Sequence, residues 1–93
     1  MILEIVSPEA KLFSGEVTSV SVPGVDGGFQ ILNNHAPIVS ILGMGSIKIE
    51  SSNFHFGKEV AEKFTKINDQ NYSIGINSGT IEMKDNKVIV LVD

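Results

Sequence analysis

Apolar and polar residues alternate along much of the chain with a period of two, the spacing that sends successive side chains to opposite faces of a strand. Residues 46–50 alternate cleanly, with Ile47 and Ile49 on one face and Ser46, Lys48 and Glu50 on the other. Residues 16–22 (EVTSVSV) set Thr18, Val20 and Val22 against Val17, Ser19 and Ser21. Residues 2–6 are β-branched and apolar around Glu4, and Ser7-Pro8 ends that strand because proline has no amide to donate. Lys11-Leu12-Phe13 reads as a short strand before a turn at Ser14-Gly15, and Phe54-His55-Phe56 as another strand. Residues 29–32 and 38–42 are strands on either side of an Asn-Asn-His-Ala-Pro corner. Residues 72–76 and 80–83 flank Asn77-Ser78-Gly79, and Asp85-Asn86 signals a hairpin turn. The closing segment 87–92 (KVIVLV) is the most apolar of all, which predicts a central strand.

One segment breaks the period. Within 58–67, Val60, Phe64 and Ile67 fall at i, i+4 and i+7, with Lys58, Glu59, Glu62, Lys63 and Lys66 opposite. That spacing predicts a short helix. The other break is VPGVDGGFQILNNHAP, residues 22–37, where Pro23, Gly24, Gly27 and Gly28 make a tight reversal. Roughly eight to ten short strands separated by such turns predict an all-β protein, a β-sandwich of two sheets. Neither an internal repeat nor a low-complexity tract is present.

Composition narrows the function. Ninety-three residues suit one domain, 1–93, that buries roughly two-thirds of its unfolded surface. A net charge of −4 and the absence of arginine argue against nucleic acid, since no guanidinium fork is available for phosphates or guanine edges. With no cysteine there is neither a disulfide framework nor a thiolate metal site. No apolar run approaches the roughly 20 residues of a membrane-spanning helix, and the acidic, apolar start lacks the basic flank of a signal peptide. These features predict a soluble, cytoplasmic, acidic domain with no direct membrane insertion.

Candidate chemistry is sparse. His35 could serve catalysis or a metal, but its companions would be His55 and scattered carboxylates, none at ligand spacing. A loop imidazole of this kind ordinarily bonds nearby backbone or packs at an interface. The glycine reversal lacks the lysine and Ser/Thr of a phosphate-binding loop, and Asp26 would repel an anion. Neither a catalytic site nor a cofactor or metal site is expected. A ligand- or carbohydrate-binding sandwich is the alternative, weakened by five Phe, one Tyr and no Trp.

The order of residues carries more. The stretch from Pro23-Gly24 through Asp26-Gly27 to His35-Ala36-Pro37 resembles the PG-x-[DE]-G-x-x-x-[IL]-x-x-HAP motif of the epsilon subunit of F-type ATP synthases. Leu12-Phe13-Ser14-Gly15-Glu16-Val17 resembles the family's FSGEV signature, and residues 45–49 its G-x-[IL]-[KR]-[IV] strand. Residues 77–83 followed by 87–91 are similar to its closing pair of strands. Three positions depart from the pattern: Gly28 stands where many members have an acidic residue, Asn77-Ser78 replaces a Ser-Gly pair, and 51–71 is longer than the usual hairpin. Most members continue into a C-terminal helical hairpin. This chain stops at Asp93, so it is expected to represent the sandwich alone, as a naturally short member or a truncated one.

The resemblance implies a ten-stranded sandwich in the central stalk, held by the gamma subunit and standing on the ring of c subunits. It implies a peripheral place on the cytoplasmic face of the bacterial inner membrane, with no catalysis of its own. By position, Ser7, His35 and Ser40 would face gamma. Gly24, Val25, Asp26, Gly27, Gly28 and Phe29 would rest on the c ring.

Overall fold

The computed structural model describes residues 1–54 and 61–93. Ten strands follow one another: β1 (Ile2–Val6), β2 (Lys11–Glu16), β3 (Ser19–Val22), β4 (Phe29–Leu32), β5 (Ile38–Leu42), β6 (Gly45–Glu50), β7 (Thr65–Asn68), β8 (Asn71–Ile76), β9 (Gly79–Lys84) and β10 (Lys87–Val92). They form two five-stranded sheets, one in the order β2-β1-β10-β9-β5 and the other β4-β3-β6-β8-β7. Pairing is antiparallel except where the first and last strands meet, β1 running parallel to β10. KVIVLV is central, as its continuous apolar character requires of a strand hydrogen-bonded on both sides.

The inward faces close one core. The first sheet contributes Leu3, Ile5, Ile81, Met83, Val88 and Val90, and the second Val20, Ile31, Ile47, Ile49 and Ile74. Aromatic rings fill the end of the sandwich near the longer connection, with Phe13 6.1 Å from Phe54 and 6.4 Å from Phe64, and Phe54 4.4 Å from Tyr72. Those rings are spent on packing rather than displayed as a sugar-stacking platform.

Several local expectations are corrected. Of the helix within 58–67, residues 58–60 lie outside the described residues. Phe64 N–H donates to the Ala61 carbonyl at 3.2 Å, closing a turn, and Thr65 then enters β7. Ala61 is helical, so the expectation is overturned only from Thr65 onward, where Ile67 lies 54% exposed on the edge strand. The edge of β8 offers residues 65–68 backbone partners that outweigh their helical spacing. Ser14-Gly15 is no turn, since β2 runs on to Glu16 paired with Ile2. Phe54 lies outside any strand, and His55 and Phe56 are not among the described residues. Val17 is buried and Thr18 exposed because β3 begins only at Ser19.

The hairpin joining β7 to β8 is stapled by Lys66 and Asp69, 2.9 Å apart. Their hydrogen bond and mutual attraction lower the Asp69 carboxyl and raise the Lys66 ammonium from their ordinary values. The Met1 ammonium pairs with Glu16 at 2.9 Å and donates to Asn33 Oδ1 at 3.1 Å.

Candidate docking surface

Registers across each sheet decide what its outer face shows. In the second sheet, Gln30, Ser21, Lys48, Ser73 and Thr65 lie in one cross-strand row, polar from edge to edge. In the first sheet the corresponding row reads Ile41, Thr80, Leu91 and Val6, ending at Lys11 on the edge strand β2. A second row places Val39 beside Glu82, Ile89 and Glu4. Val39 is 81% exposed, Ile41 62% and Leu91 52%. Val6, Pro8, Ile41, Thr80 and Leu91 line a groove of about 590 Å³ at the end of this face. The face is therefore apolar at Val39, Ile41 and Leu91, with Glu82, Glu4 and Lys11 interleaved across the sheet. Glu4 is bracketed by Lys87 at 3.3 Å and Lys11 at 3.9 Å. Water gains nothing from such a stripe, and a partner that covered it would bury apolar area.

Ser7 and His35 stand at opposite ends of this face. Ser7 follows β1 in a tight turn, its amide donating to the Ala10 carbonyl at 2.9 Å and its Oγ accepting from the Ala10 amide at 3.2 Å. It borders the groove. His35 is exposed in the corner before β5, with its amide donating to the Leu32 carbonyl at 3.1 Å and Nδ1 2.8 Å from the Ala36 carbonyl oxygen. Ser40 behaves differently. It lies half-buried opposite Ile81, on the side of β5 that also carries Leu42, so its outward neighbours Val39 and Ile41 form the surface instead. Alternation within IVSIL carried that information, but which phase faces outward is set by pairing with β9.

The six loop residues are gathered at the Ser7 end. Gly24 bridges to Leu42, the Val25 amide donates to the Ile41 carbonyl at 3.1 Å, and the Gly43 amide donates to the Pro23 carbonyl at 2.8 Å. These bonds lash the loop to the end of β5. A side chain at Gly24 would collide with the Gly27 carbonyl oxygen at 2.6 Å and the Phe29 ring at 2.9 Å. Gly27 has φ +125°, a conformation that L side chains rarely adopt. Val25, Asp26, Gly27 and Gly28 are exposed, while Phe29 tucks against the core. Met44, 80% exposed in the next turn, adds an apolar tip that the sequence reading did not single out.

Fold and surface together define a β-sandwich module whose outer faces differ, one with an edge-to-edge polar row and the other with exposed apolar side chains along β5. The family model described as "ATP synthase, Delta/Epsilon chain, beta-sandwich domain" matches residues 1–93. The chain belongs to that family. It is 40% identical over 91 residues to the ATP synthase epsilon chain of Leptospira borgpetersenii serovar Hardjo-bovis, covering 98% of this chain and 59% of the relative. It is 38% identical over 91 residues to that of Chlorobium limicola, covering 98% and 86%. The chain thus spans about three-fifths of the first relative's length. A cryo-EM structure of the Tetrahymena thermophila mitochondrial ATP synthase central stalk/c-ring contains a chain of the same fold, with TM-score 0.68 at 15% identity over 99% of this chain and 62% of that one. Among the described residues, no helix is long and apolar enough to cross a membrane.

Proposed function

We propose that this chain is a non-catalytic rotor subunit of an F-type ATP synthase, linking the gamma subunit to the membrane c ring and so coupling ion flow to ATP synthesis. Residues 1–93 act as one stiff β-sandwich domain, peripheral to the cytoplasmic face of the bacterial inner membrane. The observation that carries this reading is the contrast between the two outer faces. One has an edge-to-edge polar row, and the other a row in which Ile41, Leu91 and Val6 expose apolar surface alongside Thr80 and Lys11. Gamma covers this second face, with Ser7 and His35 at its two ends. Ser40 supports it from beneath while Val39, Ile41 and Leu91 supply the contact.

A rotor element must transmit shear without deforming, and two sheets packed through a continuous core resist it. Mixing this chain with purified gamma subunit gives a one-to-one complex stable to gel filtration. Failure to form it overturns the assignment.

The loop from Gly24 to Phe29 rests on the polar loops of the c ring. Contact there depends on shape, since Asp26 offers one exposed carboxylate and an exposed ion pair contributes only about 0–1 kcal/mol. Gly27→Val strains the loop by roughly 1–2 kcal/mol through its positive φ, because the space around it is open. The variant folds and binds gamma, and the reconstituted enzyme pumps fewer ions per ATP hydrolysed. Normal coupling with a demonstrably displaced loop argues that the ring contact lies elsewhere.

A further inference from the structure

We infer that Asn86, on the turn between β9 and β10, is a positioning residue that holds the His35 corner in its docking geometry. The inference rests on the reading of this face as the gamma-binding surface. The corner is a four-residue turn closed by the His35 amide on the Leu32 carbonyl. Such a turn leaves the amide of its third residue, Asn34, without a partner inside it. Asn34 has φ 63°. Its N–H donates to Asn86 Oδ1 at 2.7 Å, a bond that reaches across 52 positions of sequence. The other end of the same side chain, Asn86 Nδ2, donates to Asn33 Oδ1 at 2.9 Å. Asn33 Oδ1 in turn accepts from the Met1 ammonium. One carboxamide therefore grips both the main chain and a side chain of the corner.

The two bonds together fix an orientation that the turn alone does not. The peptide between the two central residues of a β-turn can flip while the ends stay in place. A bond from Asn86 to the Asn34 N–H selects one of those orientations, and His35 is the next residue. Asparagine suits the task because its side chain accepts and donates at once, and because it tolerates the φ of 60° found at this position. The residue is half-buried and its backbone is anchored independently, the Asn86 carbonyl accepting from the Ile2 amide at 3.1 Å. The grip thus springs from a fixed point.

The test compares Asn86→Gly and Asn86→Asp with the parent chain, reading both hydrogen exchange at the Asn34 amide and affinity for gamma. Glycine keeps the positive φ of the hairpin and removes both bonds. Aspartate keeps an acceptor for the Asn34 amide. Asn86→Gly speeds Asn34 exchange about tenfold or more and weakens gamma binding by about threefold to tenfold, the range expected when a hydrogen-bonded support is lost. Asn86→Asp restores slow Asn34 exchange and recovers most of the affinity. If Asn86→Gly fails to fold, Asn33→Ala cuts the second bond without touching the hairpin and weakens binding in the same direction. Parental affinity in a folded Asn86→Gly whose Asn34 amide exchanges faster overturns the positioning role, as does unchanged exchange. A parent chain that does not bind gamma at all overturns the docking reading instead, while the exchange result still decides whether Asn86 holds the corner.

Discussion

Replacing Ile41 with aspartate weakens gamma binding by about 100-fold, the scale of an interface hot spot, while the free domain keeps its fold. The reasoning runs through two environments of one side chain. In the free domain Ile41 is 62% exposed, so a carboxylate there stays hydrated. Its backbone carbonyl still accepts the Val25 amide, leaving the loop attachment intact. The cost to the free domain is under about 1 kcal/mol, the span of strand preferences on an edge. Against an apolar partner surface the same carboxylate loses its water, and an unpaired buried charge costs several kcal/mol unless the partner rearranges. Ser73→Asp, on the polar face of the other sheet, serves as the control and leaves affinity within about twofold, as surface substitutions away from a contact do. The result that decides against this face is the reverse pattern, with Ile41→Asp silent and Ser73→Asp weakening the complex. Isothermal calorimetry on both variants, with thermal melts of each, separates lost contact from lost fold.

Ile81→Ala carries the other large effect, and it falls on stability rather than on contact. Ile81 is 1% exposed in the middle of β9, paired with Val90 on one side and Ser40 on the other. Truncation leaves a cavity that flanking strands cannot collapse into, because both are held by ladder hydrogen bonds. A loss of about 2–5 kcal/mol follows for removing a buried isoleucine side chain to its Cβ. That is a large share of the roughly 5–10 kcal/mol expected for a domain of this size. In a melt the transition drops by about 10–25 °C, at roughly 4–8 °C per kcal/mol for a short chain. The fraction that remains folded binds gamma with near-parental affinity, since the outward side of the sheet is unchanged. A drop of only a few degrees would mean the core around β9 repacks. The two variants therefore dissociate: one damages binding in a stable domain, the other stability with binding preserved.

Among the described residues, the aromatic rings give the carbohydrate-binding alternative no support. Stacking on a sugar needs an aromatic ring held flat at the surface. Phe13, Phe54, Phe64 and Tyr72 are instead turned to one another at the end of the core. His35 likewise spends its Nδ1 on a neighbouring carbonyl. Neither arrangement presents convergent polar groups to a small ligand, whereas the β5 edge presents apolar side chains in a row.

How much of this was legible beforehand depends on the range over which each signal acts. Strands β6, β9 and β10 were readable because alternation and apolar runs are properties of neighbouring residues, and because turns such as Asp85-Asn86 need positive φ that few residue types supply. The family motifs added the ten-strand sandwich and the loop from Gly24 to Phe29. Residues 65–67 misled because helical spacing over a few apolar residues is a weak local preference. They joined β7 when the β8 edge supplied backbone partners, and no window of sequence displays that edge.

The docking face shows the same division. That Val39 and Ile41 point one way and Ser40 the other follows from the pleat alone, so the sequence by itself determined the alternation and the identity of the loops. Which side of β5 faces outward, and that its row continues through Thr80 and Leu91 to Val6, was decided only when strands from both ends of the chain came into register. The grip of Asn86 on Asn33 and Asn34 is of that second kind. Periodicity is written between neighbours in the chain, whereas register and side-chain bonds across 52 positions exist only after the sheets have paired.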